Sequence, residues 1–85
     1  METEKLKNLL QNLGWETVNE YYPTGELRSE AQLNNGIKNG ILTVYYRTGE
    51  IRNEIPYVNG KIDGVRKEWN NDGILISEST YVNGK

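Results

Sequence analysis

The sequence predicts a mainly β protein. It reads as an antiparallel up-and-down meander of three 24-residue hairpin repeats, about six strands, with one N-terminal amphipathic α-helix. Three observations predict this. First, residues 41–64 are paraphrased on both sides at a spacing of 24: Gly25, Gly49 and Gly73; Gly36, Gly60 and Gly84; Glu30, Glu54 and Glu78; Tyr21, Tyr45 and Trp69. A fixed period of this length marks a repeat architecture. Second, apolar residues alternate with a period of two from Trp15 onwards. Third, Leu6, Leu9, Leu10 and Leu13 fall at offsets of 0, 3, 4 and 7, which is one stripe of a helix.

The organisation that follows is a single domain: a capping helix over residues 1–14, then repeats over about 17–40, 41–64 and 65–85. Thr3 is placed to cap the helix, with Glu4 beside the positive end of its dipole, and Gly14 supplies a left-handed stop. A helix this short is marginal alone, so its leucine stripe must dock on an apolar face or the first sheet edge.

Each repeat contributes two strands, at about 17–22 and 26–33, 42–46 and 50–57, and 65–70 and 74–81. The loops between them are P-T-G, R-T-G and N-D-G. A three-residue loop ending in glycine reads as a type I turn closed by a left-handed residue. That turn pairs Tyr45 with Ile51, Val44 with Arg52 and Thr43 with Asn53. One face then carries the pairs Tyr21/Leu27, Tyr45/Ile51 and Trp69/Leu75, and Tyr57 and Tyr81 are assigned to the same core face. The other face opposes Glu20 to Arg28 and Arg66 to Glu78. Asn35-Gly36, Asn59-Gly60 and Asn83-Gly84 are type I′ turn signals. Parity then leaves one residue per repeat to be absorbed, and Gly40 and Gly64 are the expected kinks. The third repeat stops at Lys85, which leaves its last strand as an edge that is either open or paired with another chain.

Composition narrows the function. A hydrophobic fraction of 35% in 85 residues argues for a thin structure whose units pack on their neighbours rather than around a thick core. A net charge of −2 opposes a nucleic-acid partner and makes an anionic membrane an unfavoured one. There is no cysteine and no histidine, so thiol chemistry and the commonest general base are excluded. No signal peptide or spanning segment is visible, and the expected location is cytoplasmic.

The repeated pattern Tyr45-Tyr46-x-x-Gly49-x-Ile51-x-x-Glu54-x-x-Tyr57-x-x-Gly60-Lys61-x-x-Gly64 resembles the bacterial variant of the MORN repeat. It is similar to the YwqK-type antitoxin-like proteins of toxin–antitoxin systems. The likeness covers about residues 15–85. Leu33 departs from it where the pattern has Tyr, as do Ile37 for Lys, Asn70 for the second Tyr and Ile55 for a small residue. The resemblance implies a β-meander and a non-catalytic module that binds a protein partner, a toxin in those systems, and neutralises or scaffolds it.

Residue by residue, no catalytic set, metal site or cofactor site emerges. The column Glu30, Glu54 and Glu78 places carboxylates two strands apart, roughly 9.5 Å, which is too far to share a proton. Tyr22 and Tyr46 fall on the face opposite Tyr45, joined by Val18, Leu42, Val44, Ile74 and Ile76, with Arg52 and Glu54 as charged neighbours. This aromatic–aliphatic patch is the candidate partner-binding surface. Burial of that face by the coiled sheet itself is the competing reading. Self-assembly, including a homodimer through the C-terminal edge strand, and a membrane-surface adaptor are the alternative functions.

Overall fold

The computed structural model describes residues 14–85. These form one antiparallel sheet of eight strands: β1 (Trp15–Tyr21), β2 (Leu27–Asn34), β3 (Ile37–Lys38), β4 (Gly40–Tyr45), β5 (Ile51–Val58), β6 (Lys61–Ile62), β7 (Gly64–Trp69) and β8 (Leu75–Tyr81). The long strands lie in the order β1-β2-β4-β5-β7-β8, and the two-residue strands β3 and β6 pair with β2 and β5. The expected architecture of about six strands with an N-terminal helix is therefore corrected. The described residues form eight strands and contain no helix. The helix expected over residues 3–13 lies outside the described residues.

The two kinds of turn form as their sequences dictate. In the middle repeat the Gly49 N–H donates to the Tyr46 carbonyl at 2.9 Å and the Tyr46 N–H to the Glu50 carbonyl at 2.8 Å. Gly49 has φ +96°, which makes it the left-handed closing residue of a type I turn. At the Asn-Gly turns both central residues have positive φ, 51° at Asn59 and 85° at Gly60. The turn there is type I′, which matches strand twist and closes a tight ribbon. That ribbon supplies the two additional strands. Tyr57 pairs with Ile62 and Val58 with Lys61 before the chain kinks.

The kink sits at Gly40 and Gly64, as expected, but absorbs two residues rather than one. Glu54 pairs with Lys67, two positions beyond the register that the β5–β6 ribbon begins. A second irregularity accounts for the difference. Tyr45 pairs with Ile51, but Val44 pairs with Asn53 and Thr43 with Glu54, so Arg52 is bulged out of the ladder. The same bulge occurs at Arg28 and at Ile76. The predicted Val44–Arg52 and Thr43–Asn53 pairs are thus displaced by one.

A one-residue slip moves every later side chain to the other face. Tyr45 and Trp69 stand on the face of Glu54 and Lys67, whereas Tyr57 and Tyr81 alternate with Ile55 and Ser79 on the opposite one. The assignment of all four to one core face is corrected accordingly. The Glu20–Arg28 ion pair forms even though Glu20 faces Ser29 in the ladder, since the bulged Arg28 lies beside it. Arg66 instead faces Ser79 and Lys67 faces Glu78, so the expected Arg66–Glu78 opposition is absent.

The repeats are stitched together sparingly. β2 joins β4 through Ser29↔Val44 and Glu30↔Thr43, and β5 joins β7 through Asn53↔Glu68 and Glu54↔Lys67. The turns add one bond per junction: the Gly60 N–H donates to the Lys38 carbonyl at 2.8 Å and the Gly84 N–H to the Ile62 carbonyl at 2.7 Å. Among the described residues only Ala31 and Ile55, at 9% and 8% exposure, are buried apolar side chains. The two occupy equivalent repeat positions on one face, so the core is a thin line along the sheet.

Candidate functional site

On the face of Ala31 and Ile55, an apolar hollow of about 330 Å³ opens over the first two repeats. Val18, Ala31, Leu33, Leu42 and Val44 line it. They converge because β1, β2 and β4 alternate in phase: Val18 faces Ala31 across β1–β2, and Val44 faces Ser29 across β2–β4. The hollow owes its depth to Ala31, which stands where the second repeat places Ile55. Glu20, Arg28 and Lys38 supply a charged rim. Lys38 extends over the Tyr57 ring, with Nζ 5.1 Å from its centroid, and so links the rim to the next repeat.

The same face turns polar in the third repeat. The ladder that runs through Ser29 and Val44 continues as Asn53, Glu68 and Ser77, and Ser79 occupies the position of Ala31 and Ile55. An apolar centre with a polar surround is the composition of a protein interface.

The predicted surface residues do not form one patch. Leu42 and Val44, with Val18, lie together in the hollow. Tyr22 and Tyr46 do not join them as free contacts: their hydroxyls donate to the Tyr45 and Trp69 carbonyls, both at 2.6 Å, and tie each repeat to the next. Arg52 lies over the Tyr46 ring, 5.8 Å from its centroid. Glu54 is on the opposite face, where Ile51 and Trp69 border a groove of about 430 Å³. Ile74 and Ile76, at 59% and 55% exposure, flank Leu75, the first residue of β8, on the sheet edge.

Among the predicted structural positions, Gly25, Gly49 and Gly73 close the first hairpin turns with φ between 80° and 103°, and Gly36, Gly60 and Gly84 complete the Asn-Gly turns. Tyr21, Tyr45 and Trp69 hold the expected cross-strand pairs with Leu27, Ile51 and Leu75. Sequence reasoning missed Ala31, Leu33 and Lys38. For Leu33 the signal was present as a departure of the first repeat, since Tyr57 and Tyr81 stand at its equivalents, whereas Ala31 keeps the small residue of the pattern from which Ile55 departs.

On the face opposite the hollow, the carboxylates alternate with other side chains in one cross-strand row, Glu30–Thr43–Glu54–Lys67–Glu78. Each is separated from the next by a strand. The described residues hold no cluster of His, Cys, Asp and Glu suited to a metal ion. The Glu26 carboxyl is held below its ordinary pKa by the Thr24 hydroxyl and then by its own backbone N–H. It lies at full exposure in a turn, where this effect is local. No described helix is long and apolar enough to cross a membrane.

A single sheet built from three copies of one hairpin unit, each docked on the one before, is a repeat protein of the solenoid-like class. The family model of the MORN repeat variant matches residues 17–35, 38–59 and 62–83, and the chain belongs to that family. No curated protein and no solved structure matches the chain. The three matched segments coincide with the three hairpins. Repeats of this kind serve as binding modules for proteins or membranes and are not themselves catalytic.

Proposed function

We propose that this chain is a non-catalytic protein-binding module, antitoxin-like in that it binds a partner protein and neutralises or scaffolds it. The observation that supports this reading is the apolar hollow over repeats one and two, set in polar surroundings. Its walls come from secondary structure rather than loops, so it is preformed and asks little ordering on binding. The net charge of −2 favours a protein over an anionic membrane. The same composition fits a cytoplasmic setting.

The test is titration calorimetry with the protein encoded beside this chain's own reading frame. Val18→Lys and Val44→Lys, in the hollow, weaken binding tenfold or more, while Ile41→Lys leaves it unchanged. Ile41 is 54% exposed and projects from the other face. Equal affinities for the three folded variants would contradict the proposal.

A second reading, self-association, is favoured by β8. This edge strand pairs with β7 alone among the described residues, yet it presents exposed Ile74, Leu75 and Ile76. Exposed apolar edges template pairing with another chain.

A further inference from the structure

We infer that β8 of one copy receives β1 of a second copy, head to tail, in the register that already joins the repeats inside the chain. The inference rests on the self-association reading and is independent of the hollow. The internal joins define the geometry. β2 presents Ser29 and Glu30 to Val44 and Thr43 of β4, and β5 presents Asn53 and Glu54 to Glu68 and Lys67 of β7. Advancing by the 24-residue period, β8 presents Ser77 and Glu78. The strand equivalent to β4 and β7 is β1, which presents Glu20 and Asn19. Among the described residues β8 and β1 are the outermost strands, so the outer edge of β8 is the donor half of a joint already made twice and the outer edge of β1 is its acceptor half.

Side chains agree with this docking. Ser77 falls opposite the partner's Glu20 and Glu78 opposite the partner's Asn19, with no like charges directly across. Symmetric pairing of β8 with itself centred on Glu78 would set that carboxylate against its own copy, which is destabilising. Toward the turns, exposed Leu75 and Ile76 come beside the partner's Tyr21, itself 57% exposed. The third repeat also departs from the other two at this end. Its bulge residue is Ile76 rather than arginine, which places an apolar side chain on the edge.

The joint is weaker than an internal one. Asn70 stands where Tyr22 and Tyr46 reach across, and its Oδ1 accepts from the Asp72 and Ile74 N–H groups of its own turn, at 2.9 and 3.1 Å. No tyrosine latch spans the contact. Association is consequently concentration-dependent. Because a head-to-tail contact does not close on itself, it extends to dimers, trimers and longer species.

Sedimentation of the full chain over a concentration series tests this. The expected result is a ladder of species growing with concentration, abolished by Ile76→Lys. Asn19→Lys, which copies the Glu54–Lys67 pairing, tightens association about two- to five-fold, and Asn19→Glu weakens it by a similar factor. Thermal unfolding of each variant at low concentration confirms an intact monomer. A strict monomer at millimolar concentration overturns both this inference and the self-association reading. A closed dimer indifferent to both Asn19 substitutions overturns head-to-tail docking alone.

Discussion

The hydroxyl of Tyr22 donates to the backbone carbonyl of Tyr45, and 24 residues later Tyr46 does the same to Trp69, both at 2.6 Å. The second tyrosine of the repeat is thus a latch that takes hold of the first aromatic position of the next unit. The joins between repeats rest on two ladder pairs and one turn hydrogen bond each, so one further hydrogen bond is a large share of each interface.

Tyr46→Phe removes that bond and leaves the Trp69 carbonyl without its tyrosine donor. The expected loss is about 1 kcal/mol, seen as a fall in Tm of about 4–8 °C for a domain of this size. Tyr22→Phe behaves alike. Calorimetric unfolding of both variants checks the prediction, and unchanged melting would show that the latches contribute nothing.

The thin core gives a second expectation. Ile55 is 8% exposed, and Ile55→Ala costs about 2–3 kcal/mol by chemical denaturation, low in the usual range because an open sheet can relax around the gap. Val58→Ala, at a side chain 47% exposed, costs less than about 0.5 kcal/mol. Similar costs at the two sites would rule out a core running along the 31/55 line.

Glycine substitutions should rank by surroundings. Gly49 has φ +96° and nothing near the place a Cβ would occupy, so Gly49→Ala carries backbone strain alone, about 1–2 kcal/mol. Gly64 has φ +121° and faces the Pro56 ring with Cγ at 3.1 Å, a neighbour too rigid to yield. Gly64→Ala therefore costs about 1 kcal/mol more than Gly49→Ala in the same denaturation assay.

At the first turn, the Thr24 hydroxyl donates to the Glu26 carboxylate and holds its pKa below the ordinary value. A lowered folded-state pKa gives a contribution present at neutral pH and lost as pH falls through that value. Thr24→Ala is expected to raise the Glu26 midpoint toward the ordinary value in a carboxyl-carbon NMR titration. An unmoved midpoint would remove the hydroxyl as the main cause.

The sequence made the hairpins and both turn types legible because glycine, proline and asparagine carry backbone information on their surface. The pairs Tyr21/Leu27, Tyr45/Ile51 and Trp69/Leu75 lie one step from those turns, and they form as expected. The bulge at Arg28, Arg52 and Ile76 was hidden because neither residue type signals one. Every residue beyond it in β5 and β8 changed face, which separated Tyr57 and Tyr81 from Tyr45 and Trp69. Val18, Leu42 and Val44 precede the bulge in their hairpins, so their grouping survived the error. Tyr22 and Tyr46 were placed on a binding surface because alternation reports which way a side chain leaves the strand. It does not report what a hydroxyl several ångströms away will find.

Backbone-proton contacts across β4 and β5 provide the most direct test, since the in-phase alternation that assembles the hollow follows from this register. NMR is expected to show Val44 opposite Asn53 and Thr43 opposite Glu54, repeated as Glu20 with Ser29 and Glu68 with Ser77. Contacts of Val44 with Arg52 and of Thr43 with Asn53 would contradict the account.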